Sequence, residues 1–292
     1  MPTVAQALSE ATSALAAAGV ATPDFDARAL LAEILTAGHI AQLVTRRQSV
    51  LVPDQASRYQ GLLARRARRE PLQYILGYTE FYGLRLKCDR RALIPRPDTE
   101  TLVDVVLSAL PDGAACPAHL CDIGTGTGAI AIALAANRAD LKVWATDASE
   151  ETLSLSRENV AFHRLEDRIA LLEGEGLEPL REAGVLERIT ALVSNPPYVA
   201  EHEYESLAPE ITQHEPRLAL VGGDTDGLGF YRAMAGELAE LPALRLVAAE
   251  VGYDQAEQVA RLIGDALPQW RLSVHFDLGG VARVVLAEAL RA

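Results

Sequence analysis

From about residue 95 to the end of the chain, short apolar runs of strand character alternate with helical patterns, and this rhythm limits the fold more than any other property. Strands are predicted at His119–Ile123, Lys142–Thr146, Arg168–Leu172, Thr190–Ser194, Arg245–Glu250, Arg271–Phe276 and Ala282–Leu286. Strands joined by helices must cross over and lie parallel, with helices on both faces of the sheet. Only Asp277–Val281 separates the last two strands, too little for a crossover helix, so that pair must run antiparallel. The expected fold class is therefore α/β, a seven-stranded, doubly wound, mostly parallel sheet.

Residues 1–80 read differently. Val4, Ala7, Leu8, Ala11 and Leu15 recur at helical spacing, as do Ala29, Leu30, Ile34 and Leu35. Thr22 followed by Pro23 suits a helix start, and Gly19, Gly38 and Pro53 divide the region. A small helical-bundle domain is expected there. Alternation around Gly83 in Phe81–Lys87 predicts a linking β-hairpin within residues 81–94, and Pro97 with Asp98 and Glu100 suits the first turn of the helix that opens the sheet domain, residues 95–292.

Charge narrows the partners. With 27 basic and 40 acidic residues the net charge is −13, which opposes attraction to a phosphate backbone, so direct nucleic-acid binding is not expected. The run Arg65-Arg66-Ala67-Arg68-Arg69 reads as a solvated helix face, with an acidic protein or RNA patch as its other meaning. Cys88, Cys116 and Cys121 form no Cys-x-x-Cys pair, so neither a zinc cluster nor a disulfide framework is expected, and no metal is required. Ala129–Ala136 is too short for a span of about 20 residues, and the first residues lack the basic and apolar regions of a signal peptide. A cytoplasmic protein without a membrane partner is expected.

Two features carry a cofactor. Gly124-Thr125-Gly126-Thr127-Gly128 follows a strand and opens a helix, and its glycines allow a tight turn and close approach of a ligand to the backbone. Asp147 ends the next strand, where a carboxylate can accept both ribose hydroxyls of a nucleoside while also serving as a helix cap. An NAD-dependent oxidoreductase fits these residues equally, because Gly124, Gly126 and Ala129 satisfy G-x-G-x-x-A.

Asn195-Pro196-Pro197-Tyr198 separates the two. It stands at the carboxyl end of the fourth strand, beside the glycine loop, where open α/β sheets bind ligands. The Asn195 side-chain oxygen and the Pro196 carbonyl can accept two N–H bonds of a planar amide or amine, bonds that strengthen as charge develops on nitrogen. Two prolines stiffen the backbone and Tyr198 offers a ring to the planar target. Seven strands ending in a hairpin also match the class I methyltransferase form of the Rossmann-like sheet better than the dehydrogenase form.

The chain resembles the release-factor glutamine methyltransferases, called HemK or PrmC, over nearly its whole length. The resemblance rests on Glu70-Pro71-Leu72-Gln73-Tyr74-Ile75-Leu76-Gly77, Leu93-Ile94-Pro95-Arg96-Pro97-Asp98-Thr99-Glu100, the Gly124–Gly128 loop, Asn195–Tyr198, His214-Glu215-Pro216 with Ala219-Leu220, and Glu250-Val251-Gly252 with Gln255. Asn-Pro-Pro-Tyr alone is shared with adenine N6 methyltransferases of nucleic acid, a rival for which a basic site would be expected. The resemblance implies transfer of the methyl group of S-adenosylmethionine to N5 of the glutamine in the Gly-Gly-Gln loop of class I release factors. It implies further that the helical domain helps hold the release factor, that Gly124–Gly128 and Asp147 bind the cofactor, and that Asn195–Tyr198 bind the glutamine. Glu100 and Glu250 are read as structural. Relatives usually carry Asp and then a large residue near the adenine, where this chain aligns Glu175 and Gly176, so weaker adenine packing is expected. Leu241–Arg245 replaces a usual Pro-Gly turn, which concerns only a loop.

Overall fold

The computed structural model describes residues 1–110 and 119–290; Cys116 lies outside the described residues. Two compact units are present, one built from Met1–Tyr78 with Ala208–His214, the other from Thr79–Leu207 with Glu215–Ala292.

The first unit begins with α1 (Val4–Ala17), α2 (Pro23–Leu35), α3 (Pro53–Ala67) and α4 (Leu72–Leu76). Thr3 accepts from the Gln6 backbone amide and Gln6 answers through its own side chain, a reciprocal cap that fixes the start of α1. Prolines open α2 and α3, where the missing N–H costs nothing. Val4, Ala7, Ala11 and Leu15 form one buried stripe against Leu30, Leu31 and Tyr59, and the Tyr59 hydroxyl donates to the Ala27 carbonyl at 2.8 Å.

The arginine run is not simply a solvated face. Tyr59, Leu63 and Arg66 are the buried positions of α3, so helical periodicity carries Arg66 inward. There it bonds Asp26 at 2.6 Å and Glu210 at 2.8 Å, while Arg69 also holds Glu210 and Arg65 holds Glu70. Burial opposes ionisation of Glu210, but the bonds from Arg69 and Arg66 prevail and bring its carboxyl down to about 2.

In chain order there follow β1 (Tyr78–Phe81), β2 (Leu84–Lys87), α5 (Glu100–Ala109), β3 (His119–Ile123), α6 (Ala129–Asn137), β4 (Lys142–Asp147), α7 (Glu150–Phe162) and β5 (Ile169–Glu173). Next come α8 (Glu178–Glu182), β6 (Ile189–Ser194), α9 (Glu201–Tyr204), α10 (Pro209–His214, part of the first unit), α11 (Gly229–Glu237), β7 (Leu246–Glu250), α12 (Ala256–Ala266), β8 (Trp270–Phe276) and β9 (Ala282–Ala289). β1 and β2 form the small hairpin, and the Glu100 carboxylate accepts from the Tyr82 amide at 2.7 Å in its turn.

The seven-stranded sheet has the order β5-β4-β3-β6-β7-β9-β8. The first five strands are parallel and β9 runs antiparallel to both neighbours, as the short final connection predicts. Alternate residues sort onto opposite faces: Leu120, Ala191 and Val193 join the core that includes α6, whereas Cys121, Leu192 and Val247 join the core beneath α11 and α12. Both faces are covered, so every residue of β7 is buried and α6 is buried from Ala129 through Ala135. Among the described residues, no single helix is long and apolar enough to cross a membrane.

The chain winds from β3 toward β5 on one side and from β6 toward β8 on the other. The switch point between β3 and β6 opens a crevice at the strands' carboxyl ends, and the predicted motifs gather there.

Candidate active site

A cavity of about 520 Å³ is lined by Gly124–Thr127, Asp147, Gly174–Gly176, Asn195 and Pro197, with further walls from Arg96, Thr99, Leu218 and Glu237. The loop after β3 is left-handed at Gly124 (φ 73°) and Gly126 (φ 59°), where L side chains are strained. A Cβ at either position would meet no protein atom within 4 Å, so the bare backbone faces open space and not a packed neighbour. The amides of Gly124 and Thr125 both donate to the Thr146 carbonyl at 2.9 Å, and Ser156 Oγ donates to the Gly126 carbonyl at 2.5 Å. These bonds tie the loop to β4 and α7.

Asp147, half-buried at the end of β4, accepts the Gly126 amide at 3.0 Å through Oδ2 and the Ser149 amide at 3.1 Å through Oδ1. Burial raises its carboxyl above the ordinary value, and the two amides moderate the rise. Each carboxylate oxygen retains lone-pair capacity toward the cavity. Asp122, fully buried beneath the loop, accepts the Thr125 hydroxyl at 2.7 Å, while its Oδ1 has no partner among the described residues. Burial pushes its carboxyl up to about 7. A bare loop and a carboxylate at the next strand end together fit a nucleoside-bearing cofactor.

Asn195 follows β6 directly and lines the same cavity. Its Nδ2 donates to Thr99 Oγ1 at 3.1 Å. Pro197 shares the wall, and Pro196 is buried. Tyr198 is half-buried and is not among the lining residues; its carbonyl accepts Gln255 Nε2 at 3.0 Å, and a Cβ at Gly252 would lie 3.4 Å from its ring. Burial pushes the Tyr198 phenol up to about 12.

Glu175 and Gly176 line the opposite end. At Gly176 (φ 54°) a Cβ would stand 2.6 Å from a Glu237 carboxylate oxygen, which accepts the Leu177 amide at 3.1 Å. The space a large side chain would take is thus held by an acidic group from α11. Sequence reading did not single out Glu237, because its role depends on a contact between distant segments. Thr99 was missed for the same reason; Glu250, read as structural, is buried at the end of β7, and burial pushes its carboxyl up to about 7.

Near the mouth, Arg96 Nη2 donates to Glu215 at 2.7 Å, joining the Ile94–Arg96 stretch to Pro216, Leu218 and Ala219, which line the cavity. Among the described residues, no group of three or more His, Cys, Asp or Glu side chains could hold a metal.

Known proteins resemble both parts. A family model described as the PrmC N-terminal domain matches residues 6–77, and one described as the methyltransferase small domain matches residues 99–223. The release factor glutamine methyltransferase of Cereibacter sphaeroides is 40% identical over 285 residues, covering 97% of each chain. Those of Caulobacter vibrioides and Bacillus cereus are 39% and 35% identical over 261 residues, covering 89% of this chain and 88% and 90% of theirs. Among solved structures, the human hMettl16 catalytic domain in complex with the MAT2A 3'UTR hairpin 6 has a TM-score of 0.58 at 19% identity, covering 79% of this chain and 82% of that one. That likeness concerns the fold alone. Matched along both its helical part and its sheet by relatives of the same description, the chain belongs to the release factor glutamine methyltransferase family.

Proposed function

We propose that this chain moves the methyl group of S-adenosylmethionine to the N5 amide nitrogen of the glutamine in the Gly-Gly-Gln loop of class I peptide chain release factors. The observation that carries the reading is Asn195, which stands on the wall of the glycine-loop cavity with its nitrogen already bonded to Thr99. Its oxygen is the acceptor left for a substrate N–H.

S-adenosylmethionine, when bound, supplies a methyl group on a positively charged sulfur. Gly124–Gly128 would offer backbone to the cofactor, Asp147 would receive its ribose hydroxyls, and Glu175, Gly176 and Glu237 would border its base. Asn195 Oδ1 and the Pro196 carbonyl hold the two amide hydrogens, with Pro197 keeping the backbone stiff and Tyr198 supporting the planar group from behind. Transfer of that methyl group to the amide nitrogen would leave the sulfur as a neutral thioether, and one amide proton would leave to water. The oxygens of Asn195 and Pro196 grip the N–H groups more strongly as nitrogen becomes positive, so they favour the transition state over the bound amide. No side chain is assigned as a general base, because orientation supplies most of the acceleration. The helical first unit is assigned to holding the release factor. A net charge of −13 supports a protein substrate over nucleic acid.

Incubation of the chain with methyl-labelled S-adenosylmethionine and a release factor tests this reading. Label is expected in the native release factor and not in a version with the loop glutamine changed to alanine. Label in nucleic acid instead, or binding of a nicotinamide cofactor in place of S-adenosylhomocysteine, would overturn it.

A further inference from the structure

The space beside Gly176 is filled from a distant helix. Glu237 ends α11, and Phe230, Ala233, Met234 and Glu237 recur at helical spacing along the side of α11 that lines the cavity. Three of these side chains are apolar and the fourth carries a carboxylate into the wall.

The two oxygens of that carboxylate differ. Oε2 accepts the Leu177 amide at 3.1 Å, and it is the atom that a Cβ at Gly176 would meet at 2.6 Å. Oε1 receives no hydrogen bond from any described residue. Arg181 Nη2 stands 4.0 Å from it and donates to Glu240 Oε1 and Oε2 instead, at 3.0 and 2.8 Å. One oxygen is therefore committed, and the other keeps its full capacity to accept.

The order of the strands indicates what would meet it. β3, β4 and β5 are neighbours, Asp147 is in register with Glu173, and the Gly174 amide donates to the Asp147 carbonyl at 3.0 Å. The glycine loop, Asp147 and Gly174–Gly176 thus form a row across three strand ends. A nucleoside with its tail on the loop and its ribose at Asp147 would extend its base past β5, toward Gly176 and Glu237.

We infer that Glu237 selects the base of the cofactor, its Oε1 accepting the exocyclic amine of adenine, an assignment that rests on the S-adenosylmethionine reading above. A carboxylate only accepts, so it favours a base with an N–H at that position and gains nothing from one without it. The resemblance aligns Glu175 with the acidic residue near the adenine. Glu175 is exposed and no described residue holds its carboxylate, whereas the Leu177 amide fixes that of Glu237. The acceptor for the base therefore comes from α11 and not from the loop after β5.

Calorimetric titration with S-adenosylhomocysteine, and with its counterpart in which hydrogen replaces the exocyclic amine, tests the assignment. The wild type is expected to bind S-adenosylhomocysteine at least about tenfold more tightly than the counterpart. In Glu237→Gln the amide oxygen stays on the Leu177 N–H, which a –NH₂ group cannot replace, so the –NH₂ is turned toward the base and opposes its amine. Affinity of this variant for S-adenosylhomocysteine should fall by roughly 10- to 100-fold, while the counterpart binds within about threefold of its wild-type affinity. A damaged cavity would weaken both ligands alike. Glu175→Gln should keep the wild-type preference. Equal binding of the two ligands by the wild type, parallel weakening of both in Glu237→Gln, or loss of the preference in Glu175→Gln would overturn the assignment of the base to Glu237 and leave the cofactor reading standing. A wild-type chain that binds neither ligand refutes the cofactor reading, and the assignment falls with it.

Discussion

Replacing Glu250 by glutamine should make the sheet unit gain stability over the wild type as pH rises. Glu250 is 1% exposed, and burial pushes its carboxyl from an ordinary 4.5 up to about 7, outweighing the attraction of Arg283. The folded carboxyl therefore holds its proton more tightly than the unfolded one. Its favourable contribution is complete below pH 4.5 and is lost as pH rises through about 7. At about 1.4 kcal/mol per pH unit, the interval corresponds to about 3 kcal/mol. Glutamine does not titrate, so the variant escapes this loss. Glu250 Oε2 has no hydrogen-bond partner among the described residues, and an amide nitrogen placed there carries its own penalty. That penalty is the same at both pH values and cancels in the comparison, as does the titration of Asp122. The two tryptophans, Trp144 in β4 and Trp270 in β8, both report on this unit, so urea unfolding followed by tryptophan emission isolates it. Between about pH 5 and about pH 8.5 the stability difference, variant minus wild type, should increase by about 2–3 kcal/mol. A difference constant to within about 0.5 kcal/mol would refute the claim that Glu250 is held protonated by burial.

Gly126→Ala should lose about 1–2 kcal/mol from its left-handed backbone and, because its methyl group would enter the open space of the cavity, more than about tenfold in calorimetric affinity for S-adenosylhomocysteine. An unchanged affinity would mean that the cofactor does not approach this loop. Arg66→Ala should destabilise the helical unit by about 3–5 kcal/mol, read by far-UV circular dichroism during thermal unfolding, since Asp26 and Glu210 lose the guanidinium they share. A loss under about 1 kcal/mol would show the ion-pair cluster to be incidental.

The sheet was legible because its signals are local. Strands buried on both faces must be apolar throughout, as in Leu246–Glu250, and Asp277–Val281 is too short to cross over. The glycine loop, Asp147 and Asn195 were legible because each stands where a strand ends, and the topology brings those ends together. What remained hidden depends on contacts between distant segments. Thr99 meets Asn195 across 96 positions, and Glu210 returns to Arg66 across 144, so no window of sequence contains either pair. Gly176 shows a missing side chain in the sequence, but that Glu237 fills its space follows only from how α11 packs. Tyr198 illustrates the opposite limit, since the motif predicts a ring against the substrate while its place behind the cavity wall depends on Gly252 and Gln255.

The most direct test of the account is tandem mass spectrometry of a release factor treated with S-adenosylmethionine and either the wild-type chain or Asn195→Ala. The account predicts one methyl group on the side-chain nitrogen of the Gly-Gly-Gln glutamine with the wild type, and formation slowed by roughly 100-fold or more with the variant. A methyl group on another residue, or equal methylation by both proteins, would contradict it.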